Sequence, residues 1–234
     1  MKSRITKARR SKPRSAAWTS RPGPIARARK ILGILKKEYP GSRCSLYFKS
    51  PFELLIATIL SAQCTDERVN KVTTVLFQKY RGPEDFVRAD VSEIEEAIRS
   101  TGFYKNKAKS IQGCSKTLIE LYGGKVPAEL EKLVNLRGVG RKTANVVLGT
   151  AFKKQAVVVD THVTRLSNRL GLTKEQDAVK IEFDLMKAVP QEDWTSLAHL
   201  FIDHGRAVCK APRPRCEMCK LTAYCDYYLE KNKT

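Results

Sequence analysis

Four cysteines, Cys209, Cys216, Cys219 and Cys225, fall within seventeen residues, and no other feature of the sequence constrains the fold as much. The spacing is C-x6-C-x2-C-x5-C. Thiols this close in sequence read as the ligand set of a metal site, and four thiolates can hold zinc or a 4Fe-4S cluster. Structural zinc more often sits between two C-x2-C knuckles; only one is present, so the spacing alone favours iron–sulfur. Seven cysteines in all are too few and too unevenly placed for a secreted disulfide scaffold. The other three, Cys44, Cys64 and Cys114, are isolated and read as buried thiols. Between Cys209 and Cys216 lie Lys210, Arg213 and Arg215, interleaved with Pro212 and Pro214. A loop closed at both ends by ligands and stiffened by proline presents those three cations as a phosphate-facing surface would.

The rest of the chain reads as helices. Ile31, Ile34 and Leu35 share one face of a segment starting at Ile25. Ser50-Pro51-Phe52-Glu53 is a helix start: serine at the cap, proline in the first turn, glutamate three after the cap. The helix it opens, Phe52 to about Leu60, is apolar nearly all round and belongs at the centre of a core. Asp90-Val91-Ser92-Glu93 repeats the capping-box pattern. Ile111, Leu118 and Leu121 mark another amphipathic helix, ending at Gly123-Gly124. Val157-Val158-Val159 is the one strand-like run, three residues long between helical patterns, and reads as extended linker. With no βαβ alternation and no internal repeat, the chain is expected to be all-α.

At 234 residues the chain makes one large domain or two small ones. It is 42% hydrophobic and 29% charged, which supports a packed core and excludes a disordered or collagen-like chain. No apolar run approaches the roughly 20 residues of a membrane-spanning helix. The formal net charge is +20, an excess that calls for an anionic partner, nucleic acid above all. Of the 44 basic residues, 13 precede Glu38, the first carboxylate, leaving 31 against 24 acidic residues in the remainder. Residues 1–24 read as a basic, disordered tail that adds salt-sensitive affinity for phosphates, and their Arg-rich, acid-free start fits an organellar transit peptide equally well.

The segment Leu136-Arg137-Gly138-Val139-Gly140-Arg141-Lys142-Thr143-Ala144-Asn145 joins a short apolar helix (Leu130, Leu133, Val134) to a second one (Val146 to about Phe152). Its glycines permit positive φ and leave backbone N–H groups bare at the positive end of a helix, a natural phosphate site. A Gly-x-Gly alone more often marks a structural corner. Arg141 and Lys142 tip the balance, because cations in a first helical turn oppose the dipole, and a broken local rule points to function. A lysine amine that has lost its proton is a nucleophile able to form a Schiff base. Asp160, in Val159-Asp160-Thr161-His162, reads first as a helix N-cap; a fixed carboxylate there can also stabilise a cationic transition state. His162 is secondary. Gln63 follows an apolar helix, and Phe103 sits beside glycine and lysine; each can be an ordinary loop or core residue, or a side chain inserted into a duplex.

Taken together, the Leu136–Asn145 run, Asp160-Thr161-His162 and the cysteine spacing resemble the endonuclease III family of helix-hairpin-helix DNA glycosylases. Ser50-Pro51-Phe52-Glu53-Leu54-Leu55 and Leu60-Ser61-Ala62-Gln63 are similar to that family too, so the resemblance runs from about residue 25 to near the last residues. It implies two helical domains with the active site in the cleft between them: a six-helix domain over residues 44–154, with the hairpin at about 129–152, and a cluster domain joining 25–43 to 155–234. It implies Lys142 and Asp160 as the catalytic pair, and Cys209, Cys216, Cys219 and Cys225 as ligands of a 4Fe-4S cluster. Gln63 matches the residue filling the gap left by an extruded nucleotide, and Phe103 falls at a wedge position. The hairpin (Leu136, Gly138, Val139, Gly140, Arg141) and the cluster loop (Lys210, Arg213, Arg215) would contact DNA. The implied activity is excision of oxidised pyrimidines from double-stranded DNA, with strand cleavage 3′ to the abasic site. A monomer with no membrane association is expected, acting in the bacterial cytoplasm at the nucleoid, or in the nucleus or mitochondrion of a eukaryote. Two positions depart from the family: Arg137 stands where proline is usual, and Phe103 replaces an aliphatic wedge.

Overall fold

The helices begin where the sequence supplies caps. A computed structural model describes residues 22–232, so most of the expected basic tail lies outside the described residues. Among these residues there are twelve α-helices and no strand. α1 (Pro24–Glu38) is followed by α2 (Pro51–Leu60), where the Ser50 hydroxyl accepts from the Glu53 amide at 3.1 Å. The Glu53 carboxylate reaches one residue further back than a capping box requires, accepting from the Lys49 amide at 2.6 Å. Eight of the ten α2 residues are buried, as a helix apolar nearly all round demands. α3 (Asp66–Lys79), α4 (Pro83–Arg88) and α5 (Val91–Ile98) follow. The second expected capping box is only half formed. Asp90 accepts from the Ser92 amide at 2.8 Å, but Glu93 turns outward to Lys79 at 2.7 Å.

α6 (Tyr104–Tyr122) ends as expected at Gly123, whose φ of +58° closes the helix in the left-handed conformation. Ile111 and Leu118 are fully buried on it, but Leu121 is 67% exposed. The expected apolar face therefore stops a turn early, where the chain leaves the core for the Gly-Gly exit. α7 (Leu130–Val134) and α8 (Arg141–Thr150) complete a first core, built from residues between Leu46 and Ala156. Only Leu133 of α7 is buried, and Val134 is partly exposed.

Val157-Val158-Val159 is extended and buried, as a linker between two packed bodies must be. Asn145 of α8 fixes it by donating to the Val157 carbonyl at 2.9 Å. Beyond it, α9 (Thr161–Arg169), α10 (Ala178–Ala188), α11 (Trp194–Ala207) and α12 (Asp226–Lys231) form a second core. α1 belongs to this second core. Ala28, Ile31, Leu32 and Leu35 are buried in it, against α10 and α11. Arg27 ties it down by donating to the Leu170 carbonyl at 3.2 Å and to Asp226 at 3.1 Å. Val146 packs against both cores.

Candidate active site

A cleft opens between the two cores, lined by Lys142 and Asp160 from opposite sides of the linker. Lys142 arrives there through the hairpin. Leu136 and Val139 are 2% and 5% exposed and anchor the turn in the first core, where the Val139 amide donates to the Leu136 carbonyl at 3.1 Å. Only one of the two glycines uses its freedom: Gly138 has φ +79°, whereas Gly140 is extended and caps α8. Gly138 also lies against α6, since a Cβ there would stand 2.6 Å from the Ser110 Cβ. The Arg137 stem packs on Gly113 of the same helix, where an added Cβ would come within 2.6 Å of its Cδ. The turn is thus held by α6, without the rigidity a proline would bring.

Lys142 is exposed in the first turn of α8. Its neighbour Arg141 is otherwise engaged. The guanidinium donates twice to Glu182 of α10, at 2.7 and 2.8 Å, and lies over the Phe183 ring. The dipole conflict noted in the sequence is therefore settled for Arg141 by a carboxylate of the second core. Lys142 alone faces the cleft.

Asp160 is the N-cap of α9, its carboxylate accepting from the Val163 amide at 2.8 Å. His162 follows, with Nδ1 3.1 Å from Arg165 Nη2. Burial, together with the charges of Arg165, Arg206 and Lys142, holds its pKa below the usual histidine range against the pull of Asp160. The imidazole is therefore neutral at physiological pH. The cleft also holds Asp66, Arg206 and Ser45, which the sequence did not single out. Asp66 accepts from the Ser45 hydroxyl at 2.6 Å and from Arg206 at 2.9 Å, bridging α3 to α11 across the cleft. Burial acts to raise the Asp66 pKa, but those two bonds and the charges of Arg206 and Lys142 outweigh it and hold the carboxyl below its usual range. Only its place in the first turn of α3 hinted at Asp66. Nothing local marked Arg206. Cys44 and Cys64, expected to be buried, are half-buried and line the cleft; Cys114 is fully buried, and its thiol is pushed up to about 12 by desolvation.

Gln63 and Phe103 sit on separate exposed turns of the first core. The cysteine loop is elsewhere. Cys209, Cys216, Cys219 and Cys225 line a small, largely apolar cavity that shares no lining residue with the cleft. No three ligating side chains among the described residues are placed to hold a single metal ion; the four sulfurs stand around the cavity instead. Burial, then the proximity of the other three sulfurs, pushes the Cys225 thiol up to about 11. The Arg169 guanidinium donates to the Cys209 sulfur at 3.3 Å, and the Leu221 amide to Cys219 at 3.4 Å. Apolar walls, crowded thiols and donors aimed at sulfur suit a multi-iron cluster. The loop closes through the Arg215 amide on the Val208 carbonyl at 3.0 Å, with Lys210, Arg213 and Arg215 all exposed.

Residues 56–191 match the HhH-GPD superfamily of base excision DNA repair proteins. The chain is 57% identical over 200 residues to an endonuclease III of Synechocystis sp., covering 85% of this chain and 91% of that protein. It is 51% identical over 196 residues to an endonuclease III of Bacillus subtilis, covering 83% and 90%. Its fold superposes on the structure of a trapped endonuclease III–DNA covalent intermediate with a TM-score of 0.83 and 46% identity, over 87% of this chain and 96% of that one.

Proposed function

The chain belongs to the HhH-GPD superfamily and within it to the endonuclease III proteins, and from that premise we propose how its own residues carry out base excision and strand cleavage. It is a DNA glycosylase and abasic-site lyase of base excision repair. The observation that carries the residue assignment is the meeting of Lys142 and Asp160 in one cleft, each on the first turn or cap of a helix from a different core.

Duplex DNA docks through the main chain of the Gly138–Gly140 turn and through Lys210, Arg213 and Arg215. A pyrimidine damaged by oxidation pairs and stacks poorly, so extruding it costs less than extruding an intact base. Gln63 fills the gap and Phe103 wedges beside it. The Lys142 amine attacks C1′ of the extruded sugar. The glycosidic bond breaks with its electron pair going to the base, which takes up a proton from solvent as it leaves. Asp160 stabilises the positive charge on the sugar and takes the proton that the lysine nitrogen sheds. The sugar ring then opens to the Schiff base of Lys142, O4′ taking the proton that Asp160 had accepted. Its cationic nitrogen acidifies the C2′–H bond; loss of that proton expels the 3′ phosphate by β-elimination and cuts the strand.

Cys209, Cys216, Cys219 and Cys225 hold a 4Fe-4S cluster. The cluster supplies structural closure of the cationic loop when bound. Iron and acid-labile sulfide in a ratio of one to one, with no zinc, tests that assignment. The 25–43 plus 155–234 unit and the 44–154 unit act as the two walls of the cleft. No described helix is long and apolar enough to cross a membrane. In a bacterium, the kind of organism its relatives come from, the setting is the cytoplasm at the nucleoid, and in a eukaryote it is the nucleus or mitochondrion; the working unit is a monomer.

The decisive experiment is borohydride trapping on a duplex carrying one thymine glycol, with wild type and Lys142→Ala side by side. A covalent adduct with wild type alone supports the assignment. Excision without any adduct means that water is the nucleophile, and that Lys142 has been given the wrong role.

A further inference from the structure

Three non-glycine residues between Leu46 and Ala156 hold a left-handed backbone that side chains rarely adopt, Lys153 at φ +57° and the two assigned above to the duplex: Gln63, at φ +53°, and Phe103, at φ +49°. Both are exposed, Phe103 at 62%. Such conformations persist only where the surroundings impose them. One buried side chain reaches both turns. Lys107, in the first turn of α6, is 5% exposed. Its Nζ donates to the Leu60 carbonyl at 2.8 Å and to the Thr101 carbonyl at 2.8 Å. Leu60 is the last residue of α2, three before Gln63. Thr101 is the last residue of the 3-10 turn Arg99–Thr101, two before Phe103. One ammonium therefore satisfies the orphan carbonyls at two helix ends, where cations are favoured. The Lys107 amide also donates to the Phe103 carbonyl at 3.0 Å.

We propose that Lys107 is a positioning residue that locks the Gln63 and Phe103 turns into one two-pronged unit, so that both side chains enter a duplex at a fixed separation. Lys107 touches neither substrate nor reacting atoms. The proposal rests on the roles given above to Gln63 and Phe103.

The test compares two substrates with the same abasic site, one in duplex and one in single-stranded DNA, by the rate of borohydride trapping. Only the duplex requires insertion into a base stack. Lys107→Met keeps the apolar stem and removes both hydrogen bonds. It is expected to trap the single strand at the wild-type rate and the duplex about tenfold more slowly. Lys107→Gln, which can still donate, is expected to recover part of the duplex rate. Adding Lys107→Met to a Gln63→Ala, Phe103→Ala chain is expected to cost the duplex rate nothing further. Equal loss on both substrates, or a further loss in the triple variant, overturns the proposal. So does failure of both Lys107 variants to fold, read by circular dichroism, since Lys107 is then a core support. If the Gln63→Ala, Phe103→Ala chain traps duplex at the wild-type rate, the assignment of those two side chains falls first, and the proposal with it.

Discussion

Replacing Arg141 with methionine is expected to destabilise the protein far more than replacing its partner, Glu182, with leucine. The pair is bidentate and joins α8 to α10, hence one core to the other. Its two members are unequally buried: the Glu182 side chain is 8% exposed and that of Arg141 is 35%. Arg141→Met strands a carboxylate away from water, a loss of about 3 kcal/mol or more. Glu182→Leu leaves a guanidinium that still meets solvent and still lies 5.5 Å from the Phe183 ring centre, a loss of about 1 kcal/mol. The double variant exchanges a buried ion pair for apolar packing and should lose about 1 kcal/mol or less. The coupling energy is then about 3 kcal/mol or more. Urea denaturation at constant m-value reads all four corners of the cycle. By heat, Arg141→Met should lower the midpoint by about 6–12 °C, taking 2–4 °C per kcal/mol for a chain of this size. Small, equal, additive losses would refute the reasoning. If such losses came with a salt slope of DNA binding reduced by about one, the guanidinium would belong to a phosphate, as the sequence suggested.

Three further outcomes follow from the geometry. Asp160→Asn keeps an N-cap acceptor and should leave stability unchanged, whereas Asp160→Ala should lose about 1 kcal/mol; both should lose the trapped adduct, and a fully active Asp160→Asn would show that its charge is not needed. Gly138→Ala must place a Cβ at φ +79° and 2.6 Å from Ser110, at a cost of about 1–2 kcal/mol for the backbone alone. Ser110→Gly should recover only the steric part, and a Gly138→Ala protein with wild-type stability would sink the argument. Burial lowers the His199 pKa, only partly offset by Asp203. The folded state keeps this imidazole neutral while the unfolded state takes up a proton below about pH 6.5. Stability should therefore fall as pH drops from about 7 towards 5, and His199→Gln should flatten that fall; an unchanged slope would place the titration elsewhere.

What the sequence made legible was local. Ser50, Asp160 and Gly123 announce helix ends, because a cap involves neighbours three to five residues away. The cysteine spacing carries its own geometry. Pairings made through the tertiary fold were not legible. Arg141 finds Glu182 41 positions on, Lys107 reaches back 47 to Leu60, and Arg206 meets Asp66 across 140. Hydrophobic periodicity says which face of a helix is buried and nothing about which charge will stand opposite it. Arg141 is the instructive case. It does break the dipole rule, but the compensation comes from the protein's own second core. Leu121 shows the same limit on the apolar side, because its spacing extends a stripe past the point where the core ends.

The placement of α1 has a consequence for how this protein is made. The first core draws on an unbroken stretch, Leu46 to Ala156, and is complete once that stretch has left the ribosome. α1 has been synthesised earlier still, yet its resting place on α10 and α11 does not exist until much later. At about 5–20 residues per second, its apolar stripe, Ile31, Leu32 and Leu35, waits uncovered for on the order of ten seconds or more before Arg27 can meet Asp226. Birth is thus ordered: the half bearing the lysine hairpin matures first, and the half bearing the aspartate closes over it. A chain interrupted between the two would emerge with the Lys142 hairpin in place and no Asp160 facing it.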